Sequence, residues 1–169
     1  MTLEIIETDL LNNNLNLDIL CHQINCCTTT SYGIAKSIND KYKYANRYIN
    51  RNYTKIKDIP GEIYIETDLE NNNNPIIVCL AGQYTPGCIG RKINLNDNYI
   101  IETTELRELW FKKCLDKLYD YLSKFDNKKI GFPYNIGCGL AGGDWNNYYN
   151  MIIELTNKLP NHKFYLCKL

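Results

Sequence analysis

Net charge is the first thing this chain lacks: over 169 residues, 19 Lys+Arg balance 19 Asp+Glu, and the four arginines (Arg47, Arg51, Arg91, Arg107) are scattered. Proteins that coat nucleic acid neutralise a run of phosphates with a basic stripe or excess. That class is excluded, and any phosphate chemistry has to be local. Long apolar runs are also missing. Stretches such as Pro75 to Ala81 fall far short of the roughly 20 residues that span a bilayer. Residues Met1 to Asp9 have neither the basic region nor the apolar stretch of a secretory leader, so the reading is no membrane partner and a cytoplasmic protein. None of the eight cysteines forms a C-x-x-C pair, which removes the usual zinc spacing and leaves buried thiols in a reducing compartment. No G-x-x-x-x-G-K-[ST] is present, so the chain is not a P-loop NTPase. Alanine is scarce, at four residues against 23 Asn. AT-rich codons would produce that bias, and they also account for the 14 tyrosines without a base-stacking groove.

What is present is a globular composition, 44% hydrophobic and 22% charged, with no linker or internal repeat. Residues 1–169 read as one domain. Apolar or alternating runs mark strands at Leu3 to Glu7, Asp18 to Ile24, Glu62 to Thr67, Ile76 to Ala81, Lys129 to Phe132 and Lys163 to Lys168. Helical spacing joins Ile34, Ile38, Tyr42, Ala45 and Ile49 in one helix after Gly33. A second helix is expected from Glu105 to about Phe125, capped by Thr104, and a third over Trp145 to Leu159. Gln83 to Thr104 carries little periodicity and reads as a long loop. Strands alternating with three helices predict a three-layer α/β/α sandwich, a mixed central sheet with helices on both faces. No unpaired apolar stripe is left over, so a monomer is expected.

In such sheets ligands sit beyond the carboxyl ends of central strands, and two loops there carry chemistry. Ile130 to Trp145 reads IGFPYNIGCGLAGGDW. Its glycines Gly137, Gly139, Gly142 and Gly143, between a strand and a helix N-terminus, allow a tight curve whose N–H groups hold a phosphate without net charge. Gly137 to Gly142 also fits G-x-G-x-x-G, but no acidic residue follows at the required place, so a dinucleotide fingerprint is poorly supported. The other loop begins His22-Gln23-Ile24-Asn25-Cys26-Cys27 and runs through Thr28, Ser31 and Tyr32 to Gly33.

Together these loops resemble the macro domain family, in particular the branch with an H-Q-x-N-C strand end and a P-x-x-G-C-G-L-A-G-G-D-W loop. That branch is common in phage and other viral proteins and is related to ADP-ribose 1''-phosphate phosphatases. Thr8-Asp9-Leu10-Leu11 is similar to the family's G-D-[IL] turn, Gly33-Ile34-Ala35-Lys36 to its G-[IV]-A-K helix start, and Ala81-Gly82-Gln83-Tyr84 with Gly90-Arg91 to its F-G-Q-Y...G-R segment. The resemblance implies ADP-ribose, free or on a modified acceptor, as the partner, with no cofactor and no metal. It places the adenine at Asp9 and Leu10, the distal ribose and attacking water at Asn25, and the loop closing over that ribose at Ser31, Tyr32, Gly33 and Ile34. The diphosphate would lie on Gly137, Cys138, Gly139, Leu140, Ala141, Gly142 and Gly143. A viral source would put the protein in the host cytoplasm.

Asn25, His22 and Asp144 are the catalytic candidates. Two of them have a plainer reading: His22 alternates to the opposite face from Asn25 unless the strand ends between them, and Asp144 suits a helix cap. Asp9 is equally an Asx turn. The first loop departs from the family, with Thr28 and Ser31 where glycines are usual and a Tyr32 expected to narrow the distal pocket. Ala141 stands where the branch that clears ADP-ribose from acidic side chains or bases carries an acid. The leading expectation is a hydrolase acting on ADP-ribose 1''-phosphate or an ADP-ribosylated acceptor; the alternative is a reader that binds without turnover.

Overall fold

The computed structural model describes residues 2–169. Eight strands form: β1 (Leu3–Glu7), β2 (Ile19–Gln23), β3 (Ile63–Glu66), β4 (Ile76–Leu80), β5 (Lys92–Leu95), β6 (Asn98–Ile101), β7 (Lys129–Pro133) and β8 (Lys163–Lys168). Six of them make one sheet in the order β1-β8-β7-β2-β4-β3, and all its pairs are parallel except β3 with β4. β4 is apolar throughout, β2 is apolar up to His22 and Gln23, and both are almost wholly buried, as strands covered on both faces must be.

The helices are α1 (Gly33–Lys41), α2 (Arg47–Thr54), α3 (Thr104–Leu122) and α4 (Trp145–Asn157). On one face α3 and α4 pack Phe111, Leu118, Tyr148 and Ile152 against Cys21, Val78, Ile130 and Phe132. On the other, α1 and α2 pack Ala35, Ile38 and Tyr48 against Leu20, Ile24, Ile77 and Cys79. Period-two alternation in the strands therefore feeds two cores, each large side chain worth about 1.5–3 kcal/mol when buried. This is the expected α/β/α sandwich. Gly131 in β7 is required by packing, because a Cβ there would lie 2.9 Å from Leu10 and 2.5 Å from Leu17. The loop after β1 thus folds onto the sheet beside the glycine-rich loop.

The structure corrects three expectations. The single helix over 33–49 is broken: Tyr42 leaves helical geometry, Lys43–Ala45 form a 3-10 turn, and Asn46 caps α2 by accepting from the Ile49 N–H. There are consequently four α-helices among the described residues, and Ile49 is exposed while Tyr48 is buried. Gln83 to Thr104 is not featureless either. β5 and β6 pair there as a hairpin around Asn96 and Asp97, at φ 51° and 64°, the double left-handed turn that matches strand twist. Finally α3 is capped one residue early, with Thr103 accepting from Leu106, and it stops at Leu122. All eight cysteines are free; five are buried, Cys27 and Cys138 are half-buried and Cys88 is exposed. No helix among the described residues is long and apolar enough to cross a membrane.

Candidate functional site

Because β1, β8, β7, β2 and β4 run parallel, their carboxyl ends share one edge, and the loops leaving β2, β4 and β7 emerge side by side there. Gln23, the last residue of β2, ties the three together. Its Nε2 donates to Gln83 Oε1 at 2.7 Å, and its side chain fills the space beside Gly82 and Gly137 where Cβ atoms would fall.

The glycine-rich loop is pinned from within. Gly142 N–H donates to Gly139 O, Gly143 N–H to Gly137 O and Cys138 N–H to Asn135 O. The N–H groups of Gly139, Leu140 and Ala141 have no partner among the described residues. Gly137 must be glycine: its φ is 75°, and a Cβ would meet the buried Tyr148 ring at 2.4 Å. Gly142, at φ 77°, faces open space. Leu140 is 87% exposed at the loop tip. Asp144 caps α4, its Oδ1 accepting from Asn146 N–H at 2.9 Å. The Cys138 thiol is pushed up to about 12 by burial, with Asp144 and Glu108 adding to it.

From below, Arg107 of α3 holds this loop by its backbone. The guanidinium is fully buried and donates to Ala141 O at 2.9 Å, Gly87 O at 2.7 Å and Thr85 O at 3.2 Å. Glu102, also fully buried, neutralises it at 3.2 Å and accepts from the N–H groups of Tyr84 and Thr85 and from the Thr85 hydroxyl. Burial alone would raise the Glu102 carboxyl; the Arg107, Thr85 and Tyr84 hydrogen bonds outweigh it and hold the group below its ordinary range.

The first loop is shaped by side chains. Asn25 is buried, and its Oδ1 accepts from the N–H groups of Cys27 and Thr28, the Thr28 hydroxyl and Arg51 Nη1. The Thr28 hydroxyl is thereby spent inside the loop. Tyr32 is 73% exposed, so it stands out from the loop instead of narrowing a pocket. It is the N-cap residue of α1 but makes no side-chain cap, and the N–H groups of Gly33, Ile34 and Ala35 have no backbone partner among the described residues. Gly33 carries φ 57°. On the far side of the edge Asp9 is exposed and forms the Asx turn, Oδ1 accepting from Leu11 N–H at 2.9 Å, while Leu10 is buried against β7. With neighbouring strands roughly 4.8 Å apart, β1 stands about 14 Å from β2.

His22 is not brought to these loops. It lies wholly buried in the α1/α2 layer beside Cys79 Sγ at 3.5 Å, and burial lowers its pKa to about 4. β2 ends at Gln23, so strand alternation does not extend to Asn25, whose side chain turns toward α2 instead.

Sequence reasoning missed Arg51, Arg107, Glu102 and Gln23. A signal for Arg107 existed: it precedes Phe111, Cys114 and Leu118 on one helical stripe, where a charge has to find buried partners. Arg51 similarly follows Tyr48 by three residues.

No family model matches this sequence, and no curated relative does. Solved structures do resemble it. The macrodomain of Mycobacterium tuberculosis DarG superposes with a TM-score of 0.71 over 98% of this chain and 96% of its own, at 15% identity. The fold is that of a macrodomain. Two further similar structures carry ADP-ribose. Thermosipho africanus DarTG in complex with ADP-ribose matches at a TM-score of 0.68 and 12% identity, covering 99% of this chain and 42% of its own. A mutant of the Oceanobacillus iheyensis macrodomain with ADPR matches at 0.64 and 16% identity, over 98% and 84% of the two chains.

Proposed function

We propose that this chain binds ADP-ribose across the carboxyl edge of the sheet. The adenine end lies at Asp9 and Leu10, the diphosphate on Gly137 to Gly143, and the distal ribose at Asn25 and the Ser31 to Ile34 segment. One observation carries this reading: two sets of backbone N–H groups without a partner among the described residues, at Gly139 to Ala141 in the loop after β7 and at Gly33 to Ala35 in the first turn of α1, follow adjacent strands. Such groups bind a phosphate chain without a basic patch, in keeping with zero net charge.

Binding without turnover is the reading the geometry favours. His22 is sealed in the core, Asp144 is engaged as a helix cap, Asn25 Oδ1 is saturated and Ala141 has no carboxyl. Hydrolysis of ADP-ribose 1''-phosphate or of an ADP-ribosylated acceptor is the second reading. The fixed N–H dipoles favour it by stabilising developing charge, but proton transfer would have to come from the substrate's own phosphate.

Calorimetric titration with ADP-ribose, run beside phosphate release from ADP-ribose 1''-phosphate, tests both. We expect binding without phosphate release; release would establish the hydrolase. Gly142→Glu, placed in open space, should abolish binding while the protein stays folded. Retained affinity in that variant would sink the site assignment.

A further inference from the structure

We propose that Arg51 is a positioning residue that locks the Asn25 amide in one orientation, making Asn25 a hydrogen-bond donor and never an acceptor toward the ligand. The inference rests on the ADP-ribose reading above and deepens it at the distal ribose.

The Arg51 guanidinium cannot turn. Its Nη2 donates to Asn25 O at 2.6 Å, Nη1 to Thr28 O at 2.8 Å and to Asn25 Oδ1 at 3.2 Å, and Nε to Asp58 Oδ2 at 3.0 Å. The Tyr48 ring lies 4.4 Å from it. Asp58 is held in turn by Arg47 Nη2 at 2.6 Å, and Arg47 is fixed by Glu66 at 3.0 Å and by the Tyr64 ring at 3.7 Å. Two cations and two anions thus form a neutral, largely buried lattice behind the first loop.

Three N–H donors converge on one carboxamide oxygen that has two lone pairs, and the Thr28 hydroxyl, whose single proton lies between this oxygen and Thr30 O, stands beside them. Nothing further can donate to it. Flipping the amide would set its NH2 against those same donors, so the orientation is unique. The Nδ2 makes no hydrogen bond within the described residues and is not sealed from solvent, and it is the only group Asn25 can offer. Charge-assisted donation to the oxygen polarises the amide and strengthens its N–H groups as donors.

The chemical consequence separates two roles. A ribose hydroxyl or a phosphate oxygen can accept from Nδ2. A water molecule held there would accept from Nδ2 with one lone pair and keep the other, but its protons would find no acceptor on Asn25, whose Oδ1 is already occupied. Asn25 therefore recognises an oxygen through its N–H groups and takes no proton from a nucleophile.

Asn25→Asp is the discriminating variant, since the carboxylate keeps the latched oxygen and replaces the NH2 by an acceptor of similar size. ADP-ribose and AMP, which lacks the distal ribose, would be titrated calorimetrically at about 0.5 M salt to screen through-space repulsion. The expected result is about a tenfold or greater loss for ADP-ribose, about 1.4 kcal/mol, with AMP unchanged. Arg51→Lys, which keeps the charge but cannot make the forked contacts, should show the same selective loss beside an unfolding curve. ADP-ribose affinity within about twofold of wild type in Asn25→Asp would overturn the donor assignment. Parallel loss of AMP and ADP-ribose in Arg51→Lys would mean general collapse and overturn the positioning role. A wild-type protein that binds neither ligand would remove the ADP-ribose reading itself, so the two failures are told apart.

Discussion

The two loops at the carboxyl edge reach a similar end by opposite means. The loop after β7 is shaped by the absence of side chains: Gly137 and Gly142 take left-handed backbone, and Gly137 and Gly143 let the chain press onto Tyr148. The loop after β2 has one glycine and is shaped by side chains, with Asn25, Thr28 and Arg51 replacing what glycine does elsewhere. Each is held by a buried arginine with a buried carboxylate, Arg107 with Glu102 and Arg51 with Asp58. The difference lies in what the arginine grips. Arg107 grips the glycine loop by a backbone carbonyl, that of Ala141, and leaves the N–H groups of Gly139 to Ala141 free; Arg51 grips a site side chain and fixes its polarity. A backbone-shaped loop tolerates sequence change wherever Cβ atoms have room, whereas a side-chain-shaped loop depends on a few particular residues.

Removing the grip on the glycine loop gives the largest expected effect. Arg107→Met would leave Glu102 buried and unpaired, at a cost of about 3–5 kcal/mol in denaturant unfolding. A loss below about 1 kcal/mol would mean that glycine alone holds the loop. Next comes pH. His22, under the first loop, has its pKa lowered from 6.5 to about 4 by burial, so between those values the unfolded chain binds the extra proton and stability falls as the pH falls. The loss is about 3 kcal/mol on going from above pH 6.5 to pH 4. His22→Leu should flatten that part of the stability profile, and an unchanged slope would place the acid sensitivity elsewhere.

Paired glycine substitutions sharpen the comparison. Gly137→Ala combines a left-handed φ with the Tyr148 clash and should cost about 2–3 kcal/mol. Gly142→Ala carries the φ alone, about 1 kcal/mol, and equal melting temperatures for the two would refute the packing account of Gly137. The smallest effect belongs to Asp144→Ala, which removes a cap worth about 1 kcal/mol. Its ADP-ribose affinity should hold, and a large loss there would give Asp144 a direct role with the ligand.

Much of the architecture was legible in the order of apolar runs. β1 and β8 fall on the bounds read for them, and β2, β3, β4 and β7 lie within a residue of their apolar or alternating segments. The hairpin was missed because Asn96-Asp97 is a less familiar left-handed pair than Asn-Gly. The break at Tyr42 was missed because the helical period continues through it while Asn46 restarts the helix with its own cap. For the site, the glycine spacing pointed to the loop after β7, since glycine patterns report backbone demands directly. The first loop was harder to read, because Thr28 and Tyr32 act through where they point: Thr28 inward to Asn25, Tyr32 out to solvent.

By itself the sequence determined the element order, the placement of two loops at the ends of strands and the local rules of glycine turn and Asp144 cap, all of which depend on near neighbours. Only the tertiary structure decided that Arg51 meets Asn25 across 26 positions, that Arg107 reaches Ala141 across 34, and that His22 is sealed in the core. Burial and hydrogen-bond saturation depend on which distant segments share a space. Once three N–H donors occupy one oxygen, the role left to Asn25 is set by its neighbours more than by its own identity.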